Sequence, residues 1–97
     1  KSGYAANSQA KVCAAAVAAM LNGKEAPVPS YVNTCYSVAG ENWGFSVAAV
    51  YKLAEDRAKI NKVSGGLTPM GASEDQHARE VLYAHSWFAN ITADIFK

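Results

Sequence analysis

A ten-residue apolar run near the start of the chain limits the possible folds most. Residues 12–21 are all apolar and the surrounding residues 4–22 contain no proline, which predicts one helix. Gly23 suits the position just after a helix, and Pro27 and Pro29 prevent its continuation. Because apolar residues lie all around this helix, we expect it to be buried. A chain of 97 residues offers little to surround it, so we expect part of its surface to face something outside this sequence. Close packing of its alanines within the chain is the alternative.

The middle of the chain predicts a sheet. Three runs rich in β-branched and aromatic residues are separated by short turns: 31–38, 45–51 and 58–63, with turns at 40–44 and 55–57. Short connections of this kind indicate an antiparallel meander. Gly65 and Gly66 are expected to end the third strand.

The last part of the chain predicts a second helix. Ser73 and Gln76 have the spacing of a capping box, and acidic residues follow Ser73, where they suit the positive end of the helix dipole. Apolar residues then recur at nearly helical spacing to about Ile95. The expected fold is therefore α+β, with a buried N-terminal helix, a three-stranded meander and a C-terminal helix packed on the sheet. Length predicts a single domain over residues 1–97.

Charge and motif content exclude several classes of function. The formal net charge is +1, which gives no electrostatic footprint for nucleic acid or an anionic membrane. There is no apolar run of 18 residues, no glycine-rich phosphate loop, no CxxC pair and no HExxH motif. We therefore expect no metal site and no phosphate-loop nucleotide site within this sequence. Because the chain begins Lys-Ser-Gly without Met, we expect a piece of a larger protein.

The side chains that could carry chemistry have ordinary packing explanations. From the pattern alone, Cys13 and Cys35 are interpreted as small buried residues, Cys13 the more so, and a disulfide between them is conceivable. His77 and His85 are expected to be surface or partly buried residues of the last helix. The two tryptophans are expected in the core, and three acidic residues on a solvated helix face: Trp43 and Trp87, with Glu74, Asp75 and Glu80.

Four segments together resemble one family. Residues 1–14, 33–37, 65–69 and 83–96 are similar, in this order, to the C-terminal region of the flavoprotein subunit of flavocytochrome c sulfide dehydrogenases. The resemblance covers nearly the whole chain. It implies that residues 1–97 are the C-terminal domain, or a fragment, of a larger flavoprotein with two dinucleotide-binding domains.

The resemblance also implies roles for particular residues. In this family an FAD lies above a redox-active disulfide, and Cys35 matches the cysteine that the C-terminal region supplies. Its partner would lie upstream, outside this sequence. Ser2, Gly3 and Tyr4 match the helix start whose backbone amides approach the flavin, and Trp87 matches an aromatic residue near it. A helix N-terminus suits the negative charge of a reduced flavin.

The implied activity is oxidation of sulfide, with electrons passing through FAD to the haem of a cytochrome c subunit, in the periplasm. The upstream dinucleotide-binding domains and that haem subunit would be the partners. The chain alone is expected neither to bind FAD tightly nor to turn over sulfide. Two alternatives stay open: a non-catalytic α+β interaction module, and a flavin disulfide oxidoreductase that acts on another sulfur compound.

Overall fold

The computed structural model describes residues 2–97 and has five secondary-structure elements. In chain order they are α1 (Gly3–Leu21), β1 (Ser30–Gly40), β2 (Trp43–Leu53), β3 (Ile60–Leu67) and α2 (Glu74–Phe96). The three strands form one sheet in the order β1-β2-β3. This is the antiparallel α+β arrangement that the sequence predicts.

Both ends of α1 are capped by local residues. The Ser2 side chain accepts a hydrogen bond from the Ala5 N–H, at 3.1 Å, which satisfies one of the open donors of the first turn. At the other end Gly23 has φ +68° and its N–H donates to the Met20 carbonyl, while the Lys24 N–H donates to the Ala19 carbonyl. This is a Schellman ending, and it confirms the predicted role of Gly23.

The burial predicted for α1 is wrong. None of the residues in this helix is buried, and the side chain of Leu21 keeps 82% of its surface exposed. Val17 and Met20 are at least half exposed as well. The described part of the chain supplies too little neighbouring structure to cover a helix that is apolar on every side, which is the limitation that the sequence itself suggested.

The strands are longer than their sequence pattern predicts. Trp43 begins β2 instead of lying in the preceding turn, and Gly65 and Gly66 lie within β3 instead of ending it. The predicted polar turn between β2 and β3 is confirmed. There Arg57 has φ +56° and the Asp56 carboxylate accepts the Ala58 N–H at 3.0 Å. Hydrogen bonds to a neighbouring strand override the weak strand propensity of the two glycines.

Helix α2 begins as predicted and packs on the sheet. Ser73 is its N-cap, and the Ser73 side chain accepts the Gln76 N–H at 3.2 Å. The contact with the sheet is closest at Gly44 of β2. A Cβ atom placed on Gly44 would lie 2.8 Å from the backbone nitrogen of Val81. Only a glycine allows the strand and the helix to approach this closely.

The chain divides into two compact units. One comprises Lys1–Asn33 with Ala49–Gly65, and the other comprises Thr34–Ala48 with Gly66–Lys97. The first contains α1 and the hairpin end of β2 and β3, and the second contains α2 and the strand segments beside it. Each candidate site described below lies within one of these units.

Candidate functional site

Cys35 lies on β1, in the second unit, and its side chain is half-buried. Cys13 lies on α1 and is exposed, so the packing explanation is wrong for Cys13. Neither cysteine takes part in a disulfide among residues 2–97. The conceivable bond between Cys13 and Cys35 is therefore not formed in this structure.

Trp87 of α2 contacts the same strand through the neighbouring tyrosine. The ring centroids of Tyr36 and Trp87 are 6.2 Å apart, and the ring planes are tilted by 40°. Because successive side chains of a strand point to opposite faces, Cys35 lies on the other face of β1 from Tyr36. The structure thus places Cys35 and Trp87 in the same unit without bringing their side chains onto one face of the sheet.

The predicted flavin-contacting helix start belongs to the first unit. Gly3 and Tyr4 open α1, and no acidic side chain lies in its first turn. Apart from the chain neighbours of Gly3 and the backbone of its own helix, no heavy atom lies within 4 Å of a Cβ placed on Gly3, so the space beside this residue is open. The Ser2 hydroxyl also donates to the Asn33 side-chain carbonyl, which ties the helix start to the beginning of β1. The first turn therefore presents open N–H donors without a competing negative charge.

A buried polar network, which the sequence analysis missed, joins three elements of the second unit. Thr68 follows β3, and its hydroxyl accepts the Ser46 N–H of β2 at 2.8 Å. The same hydroxyl lies 3.1 Å from the Glu80 carboxylate of α2, to which it donates. The Thr68 N–H donates to the Ser46 carbonyl at 3.0 Å. Glu80 is buried, so its predicted place on a solvated helix face is wrong.

A stacked pair of rings lies beside this network. The imidazole of His77 stacks on the indole of Trp43, with centroids 3.8 Å apart and planes within 18° of parallel. His77 Nδ1 lies 2.8 Å from the Gly44 carbonyl oxygen. His77 is only 7% exposed, so its predicted surface or partly buried position is wrong, whereas His85 is exposed as expected. Trp43, expected in the core, is 46% exposed.

The ring pair forms one end of a groove of about 420 Å³. Its walls are mostly apolar, and they come from the first half of β2, the end of β3, the loop before α2 and α2 itself: Trp43, Phe45, Ser46, Val47, Leu67, Thr68, Pro69, Met70 and His77. Met70 is 98% exposed at its rim. Concave apolar sites with few polar groups are the usual form of small-ligand sites.

Metal-binding clusters and membrane-spanning helices are both absent from residues 2–97. No cluster of three or more His, Cys, Asp or Glu side chains there has the arrangement of a metal site. None of the described helices is long and apolar enough to cross a membrane.

Comparison with protein families identifies the chain. The model of the family described as flavocytochrome c sulphide dehydrogenase, flavin-binding, matches residues 27–96, which is most of the sequence. The chain belongs to this family. Membership confirms the resemblance on which the expected roles rest, and it makes the chain a flavin-binding domain of the flavocytochrome c sulphide dehydrogenase type.

The matched segment contains some of the predicted site residues and not others. Cys35 and Trp87 lie inside the part of the chain that the flavocytochrome c sulphide dehydrogenase family matches, and so does the groove beside His77. Ser2, Gly3 and Tyr4 lie before it. Their role at the flavin rests on the sequence resemblance and on the open helix start described above.

Proposed function

We propose that this domain supplies the C-terminal half of the redox site of a sulfide-oxidising flavoenzyme. The observation that carries the proposal is the family match over residues 27–96, which includes Cys35 in its half-buried position on β1. Electrons from sulfide would pass to FAD and then to the haem of a cytochrome c subunit. In this proposal the upstream dinucleotide-binding domains complete the flavin site, and the setting is periplasmic.

Cys35 would act through a disulfide with an upstream cysteine. Hydrosulfide attacks one sulfur of that disulfide and forms a new S–S bond, while the original S–S bond breaks. One cysteine then carries a persulfide, and the other leaves as a thiolate that keeps the electron pair. When this thiolate forms a new S–S bond with the persulfide sulfur, one proton and two electrons leave, and a bound flavin would supply the two-electron acceptor. Cys35 is only partly buried, which leaves its sulfur within reach of hydrosulfide.

The described residues fit a flavin at the start of α1. The first-turn N–H groups of Gly3 and Tyr4 can donate to an anionic ring edge, and no acidic side chain of that turn opposes it. Ser2 holds the turn in place through its bond to Ala5 and its contact with Asn33. Trp87 lies in the other unit, where it contacts Tyr36, and its proposed place near the flavin rests on the family resemblance.

The test uses the complete flavoprotein with Cys35→Ser. We expect anaerobic sulfide to bleach the flavin absorbance of the native protein and to leave that of Cys35→Ser unchanged on the same timescale, because no disulfide can form. The matched control is Cys13→Ser, which removes the exposed thiol of α1 and should bleach normally.

Normal bleaching of Cys35→Ser would disprove the proposed role of this cysteine. Bleaching by another sulfur compound but not by sulfide would support the broader flavin disulfide oxidoreductase. A complete protein that binds no flavin would favour the interaction module, a role that the exposed apolar surface of α1 also suits.

A further inference from the structure

The tautomer of His77 follows from its one hydrogen bond. The Gly44 carbonyl oxygen can only accept, so His77 Nδ1 carries the proton and donates across 2.8 Å. In the neutral imidazole, Nε2 then has an available lone pair. The stacked indole of Trp43 holds the ring in this orientation.

This lone pair belongs to a side chain that lines the groove. Residues 2–97 provide no hydrogen-bond partner for His77 Nε2. Among the same residues, every side-chain nitrogen or oxygen of a non-exposed residue that water cannot reach has a hydrogen-bond partner. Nε2 of this otherwise buried side chain must therefore be accessible, and His77 lines the groove. When a buried side chain has an unpaired acceptor atom beside an apolar cavity, a ligand in that cavity is expected to carry a hydrogen-bond donor.

The walls of the groove restrict the rest of the ligand. Trp43 and Phe45 present partly exposed aromatic rings, and Leu67 and Met70 add exposed aliphatic and thioether surface. None of the residues that line the groove carries an acidic or basic group other than the imidazole of His77. Aromatic and thioether surfaces favour contact with another ring, and an uncharged wall disfavours an ion.

We propose that this groove binds a small uncharged aromatic molecule that carries one hydroxyl donor, of the phenol class. The ring lies against the apolar walls and the hydroxyl donates to His77 Nε2. Neither Cys35 nor a flavin takes part in this binding.

The experiment compares phenol with anisole, which has a similar shape but no donor. Each is titrated into the protein while the side-chain NMR signals of Trp43 and His77 are followed. We expect saturable shifts of both signals, and an affinity about fivefold higher for phenol than for anisole, which is the value of one neutral hydrogen bond.

Two variants separate the hydrogen bond from the apolar contact. His77→Asn keeps a donor for the Gly44 carbonyl and removes the Nε2 acceptor, so the preference for phenol should fall to about one. His85→Asn changes the exposed histidine of the same helix and should keep it. Leu67→Lys places a charge at the groove and should weaken both ligands, whereas Ile60→Lys, exposed on the same strand but outside the groove, should not.

The proposal is overturned by equal affinity for the two ligands, by shifts that do not saturate, or by a phenol preference that survives in His77→Asn. Leu67→Lys tests the location of the site independently of whether His77→Asn folds. Unchanged binding in Leu67→Lys would place the ligand elsewhere and would also overturn the proposal. Because flavin bleaching is not measured here, these outcomes are distinct from those of the Cys35 test.

Discussion

At the scale of single residues, the packing of the second unit depends on a glycine, which has no side chain, and on a threonine with one hydroxyl. Gly44 allows β2 to approach the backbone of α2, and Thr68 connects Ser46 to Glu80 through one hydroxyl. Each contact leaves little freedom, because its partners are backbone atoms or buried side chains. Substitutions here should therefore change stability far more than their size suggests.

Gly44→Ala should lower the free energy of unfolding by roughly 2 kcal/mol, because its Cβ would meet the Val81 nitrogen at 2.8 Å and the helix backbone must move. Urea unfolding followed by circular dichroism measures the loss. Gly66→Ala is the control: no atom lies within 4 Å of its Cβ, so its unfolding midpoint should stay the same or rise slightly. Equal effects of the two changes would contradict the close approach.

Thr68→Val keeps the shape of the side chain and removes its hydroxyl. The Ser46 N–H then loses its acceptor and the buried Glu80 carboxylate loses a donor, which should cost about 2 kcal/mol of unfolding free energy. The same urea assay measures it. Thr92→Val, which removes a hydroxyl bonded within the exposed turn of α2, should change little. If Thr68→Val leaves the free energy of unfolding unchanged, water must replace the hydrogen bonds of the lost hydroxyl.

At the scale of helices and strands, α1 has the composition of a core helix and the exposure of a surface helix. Leu21→Lys should change the unfolding free energy of this chain by less than about 0.5 kcal/mol, because Leu21 is already 82% exposed. Val81→Ala, in the buried face of α2, should cost about 2 kcal/mol in the same assay. If α1 is covered in the complete flavoprotein, Leu21→Lys should be clearly destabilising there. Equal effects in both proteins would argue that α1 stays uncovered.

Local signals predicted the elements well. Ser73 with its acidic neighbours marked the start of α2, Gly23 marked the end of α1, and residues 55–57 marked a turn, because each of these depends on bonds within a few residues. The extension of β3 through Gly65 and Gly66 depends on pairing with another strand, which a single run of sequence does not contain.

The polar site was not predictable in the same way. His77 contacts Gly44 across 33 positions of the sequence, and Thr68 contacts Ser46 across 22. A periodic sequence pattern cannot predict contacts between residues so far apart in the chain. The available signals were only suggestive: a glycine next to Trp43, and a histidine three residues before a glutamate on the buried side of α2. By contrast, Cys35 and Trp87 were identified by resemblance to a family, and the family match supports that resemblance.

At the scale of the whole molecule, the buried apolar core is small. Among residues 2–97 the buried hydrophobic side chains are Ala49 and Val81, and neither is fully buried. Much apolar surface is exposed instead, including Met20, Leu21 and Phe96. Such a chain has little hydrophobic stabilisation of its own, and large exposed apolar areas usually mark contact surfaces.

If the proposed function is right, we expect the chain to gain stability from the upstream dinucleotide-binding domains of the proposed flavoprotein. When these domains are added in trans, the melting temperature should rise with their concentration, because a partner that binds only the folded state stabilises it by mass action. Thermal unfolding at several partner concentrations measures this. An unrelated protein at equal concentration is the control, and an unchanged melting temperature at all concentrations would contradict the expectation.

The position of β3 has a consequence for how the molecule behaves in crowded solution. Among the strands described, β3 lies at one edge of the sheet, and all eight of its residues are exposed. A strand with that much open backbone could recruit a strand from another molecule and begin a fibre. Lys62 places a charge among the β-forming residues of β3. Gly65 and Gly66 have low strand propensity and weaken the C-terminal half of the same strand. The two glycines that were predicted to end β3, and lie within it instead, thus help to protect the protein against aggregation.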